Sequence, residues 1–316
     1  MADNIPEIIF DDGESYERFM GVWSRKVGAQ FIDWIKFSKS LNFLDVGCGN
    51  GAFSVQIDAL CNPSSIIGID PSSAQIDYAS RREINVPSQF EVGDSMSLPF
   101  QDDKFDASIM ALVIFFVPDP IKGVAEMLRV TKPGGTLAAY AWDVMSGGLP
   151  MEPMHKILRE IGIEYPLPPS VHASQKRNMK EIWTDLGISG VETTTFYVKR
   201  SFKNFDDYWN IYSVGPSMSG TLKALSPETV TEIKVKLNNT LERDSDDNII
   251  SNNNLSVLPI KKPLALSKLR TQVGEPFIPI LVSIDKVLTP FLDPTEPFSS
   301  TLNFGTKNKL IPLVPE

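Results

Sequence analysis

The stretch Asn42–Ala52, reading Asn-Phe-Leu-Asp-Val-Gly-Cys-Gly-Asn-Gly-Ala, constrains the fold of this chain more than any other. Phe43, Leu44 and Val46 form a short apolar run that ends at Gly47, Gly49 and Gly51, and an amphipathic segment from Ala52 to Leu60 follows. That order predicts a strand, a glycine turn and a helix. Glycine at such a turn permits φ/ψ values closed to residues with a Cβ and lets a ligand approach the backbone. The free N–H groups at the start of the helix then point at whatever is bound. The stretch also satisfies the dinucleotide pattern Gly-x-Gly-x-x-Gly/Ala, so by itself it does not choose among nucleotide-like ligands.

Further apolar runs alternate with helical patterns downstream. Ser65–Asp70 reads as a buried strand ending in a carboxylate, and Pro71 and Ser72 open a helix over Ala74–Arg82. Gln89–Val92 is a short third strand. Phe105–Val113 is a fourth, nearly continuous in apolar residues, as suits burial on both faces of a parallel sheet. Asp119 and Pro120 open a helix through Arg129, Lys132–Gly135 is a turn, and Thr136–Trp142 is a fifth strand. Met179–Gly187 reads as a helix and Val191–Lys199 as a sixth strand. This alternation predicts an α/β fold with a doubly wound, mostly parallel sheet. Ligands of such sheets bind beyond the carboxyl ends of the strands. Asp45–Gly51, Asp70, Asp94 and Ala111–Val113 all fall there.

The charges around the turn narrow the ligand. A pyrophosphate favours a turn free of negative charge, whereas Asp45 stands just before the first glycine and the turn carries no lysine. S-adenosylmethionine has no phosphate, but carries an ammonium, a carboxylate, a sulfonium, a ribose and an adenine. Asp45 suits the ammonium, directly or through water. Asp70, about twenty residues beyond the glycines, suits the ribose diol. Asp94 suits the adenine amine, with Ser95 or Met96 offering backbone or a polarizable surface. The plain structural alternatives are a helix cap for Asp70 and a turn aspartate for Asp94.

Leu44–Gly51, Gly68–Asp70, Gly93–Phe100, Phe105-Asp106 and Lys132–Gly135 resemble, in order and spacing, the successive motifs of class I S-adenosylmethionine-dependent methyltransferases. Tyr16–Arg25 further resembles the N-terminal segment of a small-molecule, type 11/25-like branch of them. The resemblance spans roughly residues 16–143. It implies a Rossmann-like seven-stranded methyltransferase sheet in which a final hairpin adds an antiparallel strand. It also implies cofactor contacts from Gly47, Gly49, Asp70, Asp94 and the backbone around Ala111. With Asp45, Cys48 in the turn and Ser95, these make up the candidate cofactor site; no catalytic side chain is singled out. Methyl transfer from a sulfonium asks mainly for proximity, alignment and a dry site. A base is needed only where the acceptor must lose a proton.

Composition supports a small-molecule methyl acceptor. The formal charge of −9 over 316 residues argues against a nucleic-acid or anionic-membrane partner. The segment Phe115–Pro120 after the fourth strand also lacks the Asn/Asp-Pro-Pro-aromatic signature used to hold a flipped base. Cys48 and Cys61 form neither a disulfide framework nor a metal cluster, which suits a reducing, cytoplasmic compartment. Residues 1–13 are acidic where a secretory signal would be basic and then apolar. The longest apolar run, Ala107–Val117, is well short of the ~20 residues of a membrane helix.

The remainder divides into appendages. Residues 1–38 read as an N-terminal helical cap with Tyr16, Arg18 or Arg25 near the ligand, or as an outer helix packed on the sheet. The methyltransferase domain spans 39–254, with helical lid insertions at 144–175 and 203–245. His155 and His172 lie in the first insertion, and neither is assigned a catalytic role. Tyr208, Trp209 and Tyr212, joined by Trp142, either pack in the core or wall the acceptor pocket. Residues 255–316 read as a divergent, poorly ordered tail, with Leu255–Ile260 completing the sheet as the rival reading. A protein that binds the cofactor without catalysis, using lid and tail for a partner, is the functional alternative.

Overall fold

The computed structural model describes residues 17–261 apart from 189, 216 and 217, with side chains left aside at 18 and 254–261. Strand β1 (Asn42–Val46) carries the apolar run, and Phe43 to Val46 are all buried. It pairs in parallel with β2 (Ser65–Asp70), with Val46 opposite Ile69, and on its other side with β4 (Phe105–Ala111), with Asp45 opposite Ile109. β3 (Ser88–Val92) extends the sheet beyond β2 and β5 (Thr131–Trp142) beyond β4, both in parallel. The chain thus winds outward from β1 in one direction and returns to wind in the other. The right-handed rule for such crossovers puts the two sets of helices on opposite faces. The result is an α/β, Rossmann-like sheet whose crevice opens between β1 and β4.

The far side of β5 carries the antiparallel strand expected of a final hairpin and departs from expectation in the strand count. β8 (Ile249–Lys261) runs antiparallel between β5 and β6 (Thr194–Phe202), giving the order β3-β2-β1-β4-β5-β8-β6. The two-residue β7 (Glu242–Arg243) pairs with β8, so the sheet has eight strands where seven were expected. β8 takes residues 255–261 into the sheet, which corrects the boundary placed at 254. The expectation of little regular structure beyond Lys261 lies outside the described residues.

Strand limits also shift. β5 begins at Thr131, and Lys132–Gly135, expected as a turn, forms an irregularity inside the strand: Phe105 faces Thr131 but Ala107 faces Thr136. β4 stops at Ala111 because Leu112 adopts φ 64°, a left-handed conformation that ends the extended run.

The segment expected as an N-terminal cap contains, among its described residues, a π-helical turn, Glu17–Gly21, and a helix over Val22–Ile35. Its buried stripe of Trp23, Val27 and Phe31 packs on the helix Ala52–Cys61 that follows the glycine turn. Trp23 Nε1–H donates to Tyr212 Oη at 2.9 Å, and the Trp23 and Trp142 rings meet edge-on at 6.0 Å. The aromatic helix Phe205–Tyr212, capped by Asn204, is thereby locked against the cap. Tyr208 and Tyr212 are fully buried, so core packing accounts for them. In the first insertion the helix Glu152–Glu160 packs on the helix Pro227–Thr240. His155 is buried and stacked on Tyr165 at 4.1 Å, whereas His172 is exposed. No described helix is long and apolar enough to cross a membrane.

Candidate functional site

The glycine turn is shaped by what its neighbours forbid. Gly47, Gly49 and Gly51 have φ of 73°, 51° and 77°. A Cβ on Gly47 would lie 2.5 Å from Val113 Cγ1, so glycine is required there for space as well as for backbone angle. The N–H groups of Gly47 and Cys48 both donate to Ile69 O of β2, at 2.7 and 3.0 Å. Gly49 N–H donates to Asp70 Oδ2 at 2.9 Å, and Ser72 N–H to Asp70 Oδ1 at 2.9 Å. The end of β2 therefore holds the turn at the end of β1.

Beyond these strand ends lies a cavity of about 650 Å³. The turn contributes Gly47 to Asn50, the end of β2 contributes Ile69 to Ser72, and the loop after β3 contributes Gly93 to Met96. Ala111 to Val113 and Phe116 to Pro118 come from the segment after β4, and Tyr140 from β5. Ser24 and Phe53 close it from the two packed helices. Gly47, Cys48, Gly49, Asp70, Asp94, Ser95 and Ala111 all line this one cavity. Asp45 does not: it is fully buried beneath the turn.

The carboxylates are not equivalent. Burial pushes the Asp45 carboxyl up to about 7; the Ser54 Oγ–H donated to its Oδ2 at 2.6 Å opposes the rise, and Asp70 adds to it. Its Oδ1 is buried without a hydrogen-bond partner. Burial also raises Asp70, against the two backbone N–H bonds it accepts. Asp94 is exposed and accepts Met96 N–H at 2.8 Å, as in an Asx turn. Burial pushes the Cys48 thiol far above its usual range, so it stays protonated and unreactive.

Among the described residues, none from 144–175 or 203–245 lines the cavity. Residues 144–175 instead brace its wall from behind: Ser170 N–H donates to Phe115 O at 3.0 Å, and Ser170 Oγ–H to Pro118 O at 3.2 Å. Trp142, Tyr208, Trp209 and Tyr212 do not reach the cavity. Tyr16 lies outside the described residues, and Arg25 pairs with Glu17 at the surface. Sequence reading passed over Ser24, although a serine on the stripe of Met20, Trp23, Val27 and Phe31 was a visible signal. It also missed the left-handed Leu112, for which the sequence carried none.

The lining chemistry discriminates between two ligand types. Among the described residues, no lysine, arginine or histidine lines the cavity, so a pyrophosphate finds no counter-charge there. A turn backed by an orphaned carboxylate oxygen and flanked by Asp70 fits a ligand with an ammonium and a diol.

Comparison with known proteins points the same way. Residues 44–139 match the family model described as a methyltransferase domain. An uncharacterized methyltransferase of Schizosaccharomyces pombe is 32% identical over 130 residues, covering 38% of this chain and 47% of the relative. A sterol 24-C-methyltransferase of Neurospora crassa is 33% identical over 138 residues, covering 42% and 35%. The demethylmenaquinone methyltransferase of Staphylococcus carnosus is 31% identical over 116 residues, covering 36% and 46%. The chain spans less than half the length of each of these curated relatives. The Bacillus subtilis YcgJ crystal structure superposes with a TM-score of 0.53 at 17% identity, over 76% of this chain and 99% of that one, a likeness of fold. In motif order, sheet and strand-end cavity, residues 44–139 are similar to the methyltransferase-domain family whose model they match.

Proposed function

We propose that this protein transfers a methyl group from S-adenosylmethionine to a small organic acceptor at oxygen, nitrogen or carbon. The observation that carries this reading is one cavity joining an open glycine turn, Asp70 at the end of β2 and the loop Asp94–Met96 at the end of β3, with no cation among its described lining residues. When bound, the cofactor would supply an electrophilic methyl group for displacement by the acceptor's electron pair, with S-adenosylhomocysteine as the leaving group. Asp70 holds the ribose diol with the lone pairs its two backbone bonds leave over. Asp45 acts on the ammonium through water, since it has no surface in the cavity and its Oδ1 has no partner. Asp94, Ser95 and Met96 take the adenine; Gly47, Cys48, Gly49 and Ala111 offer backbone. The apolar walls keep water from the reacting centre.

Two relatives are named for small organic acceptors, a sterol and demethylmenaquinone, which supports a small-molecule acceptor here. The domain organisation we favour is a cap through residue 38 and a methyltransferase domain from 39 to 261. The buried free cysteines Cys48 and Cys61 suit a reducing, cytoplasmic setting. Thermal unfolding with S-adenosylmethionine or S-adenosylhomocysteine tests the reading. A ligand at 100 times its Kd adds about 2.7 kcal/mol of stability. Absence of a shift with both compounds would refute it.

A further inference from the structure

The two ends of the cavity differ in chemistry. The end at β2 and β3 carries Asp70 and Asp94, whereas the end at β4 and β5 is walled by Phe53, Leu112, Phe116 and Tyr140. A small hydroxyl side chain lines the cavity from the helix packed on Phe53, where a Cβ at Gly28, one turn after Ser24, would lie 3.2 Å from Phe53 Cδ2. Ser24, on the cap helix, is 8% exposed, lines the cavity, and its Oγ is buried without a hydrogen-bond partner. A buried hydroxyl that bonds nothing destabilises the fold unless something else supplies the bond. It sits between the fully buried Trp23 and Val27, on a stripe where an apolar residue would pack without that cost.

Charge restricts what reaches this end. No cation lines the cavity among the described residues, and the nearby Arg25 and Arg82 both pair with Glu17. A carboxylate or phosphate here would be buried unpaired. A cationic acceptor would lie beside the donor's sulfonium. The Phe53 and Tyr140 rings, 5.7 Å apart at 73°, give an aromatic wall suited to a flat group.

Resting on the methyl-transfer reading, we propose that this end is the acceptor subsite, and that it takes an uncharged, flat, apolar molecule whose one polar group hydrogen-bonds Ser24 Oγ. A hydroxyl both donates and accepts, so a phenol, alcohol or carbonyl acceptor meets it equally well.

The test uses the full chain saturated with S-adenosylhomocysteine and two naphthyl probes, 2-naphthol and 2-naphthoate, in thermal unfolding and calorimetric titration. The expected result is a further rise in Tm with 2-naphthol and none with 2-naphthoate. Ser24→Ala is nearly isosteric and removes an unpaired group, so it folds. It should bind 2-naphthol roughly five- to tenfold more weakly with S-adenosylhomocysteine affinity unchanged. Equal binding of 2-naphthoate overturns the proposal, and so does no response to 2-naphthol. Weaker S-adenosylhomocysteine binding by Ser24→Ala also overturns it, by moving Ser24 to the cofactor. In each of these cases the S-adenosylhomocysteine shift itself persists; if that shift is absent in the wild-type chain, the methyl-transfer reading fails as well.

Discussion

Asp70 Oδ2 accepts the backbone N–H of Gly49 at 2.9 Å, so the carboxylate at the end of β2 fixes the middle of the turn that ends β1. Its Oδ1 does the same for Ser72 at the start of the next helix. One side chain therefore shapes the site and offers lone pairs to a ligand. Asp70→Ala should remove the S-adenosylhomocysteine shift. It should also lower the stability of the free protein by about 1–3 kcal/mol, read from urea unfolding, because two amides lose a charged acceptor. A variant with unchanged ligand shift would refute the ribose role; unchanged stability without ligand would refute the structural one.

Asp45 makes stability and binding depend on pH. An unfolded carboxyl titrates near 3.9, roughly, whereas burial holds this one at about 7. Between those values the unfolded chain is ionised while the folded chain keeps the proton. Stability of the free protein therefore falls as pH rises through this window and levels off above about 7. Asp70, raised by burial in the same direction, adds to the slope. An ammonium brought near Asp45 favours the carboxylate, so binding at pH 6 should release protons. Calorimetry in two buffers of different ionisation enthalpy measures this, and Asp45→Asn should reduce the release. Identical heats in both buffers would remove Asp45 from the ligand's neighbourhood.

What was legible in the sequence follows from locality. β1 and β2 stand out because short, mainly apolar runs end at glycine or aspartate, and both lie where the pattern suggested. β8 was hidden because Ser251 and Asn253 are buried polar residues that meet each other at 3.0 Å, so the strand does not show the apolar alternation that marks one. The aromatic helix was placed correctly, yet its packing depended on a bond from Trp23 to Tyr212, 189 residues apart, which no local pattern carries. The same limit applies to the cavity. Its carboxylates were visible as strand-end acids, but the burial of Asp45 beneath the turn depends on strands that pair on both sides of it.

Gly47 and Gly49 should fail differently when each is replaced by alanine. At Gly47 the methyl meets Val113 at 2.5 Å and the backbone is left-handed, so strain and overlap together cost about 2–4 kcal/mol. At Gly49 the nearest atom is Gln75 Oε1 at 4.0 Å, leaving only the backbone strain of about 1–2 kcal/mol. Gln75 lines the cavity, so that methyl stands in ligand space. Unfolding measurements should rank Gly47→Ala as the less stable variant. Titration of the folded Gly49→Ala should show the larger loss of S-adenosylhomocysteine affinity beyond its loss of stability.

Glu17 ties the N-terminal π-helical turn to the far side of the glycine turn. Its carboxylate pairs with Arg82 at 3.1 Å and with Arg25, and accepts Asn50 Nδ2–H at 3.4 Å, while Arg82 Nε–H donates to Asn50 O at 2.9 Å. Asn50 lines the cavity, so this network joins the cap to a residue of the glycine turn. Glu17 and Arg82 are only 24% and 21% exposed, which shields their pairing from salt more than an open surface pair. Removing the charge with Glu17→Gln should leave the core intact and weaken the hold of the cap by about 0.5–1.5 kcal/mol. The loss should appear as a severalfold faster release of S-adenosylhomocysteine, measured by stopped-flow tryptophan fluorescence, and as a weaker dependence of that rate on salt. A release rate equal to wild type at both low and high salt would show that the Glu17 network braces the cap without gating the cavity.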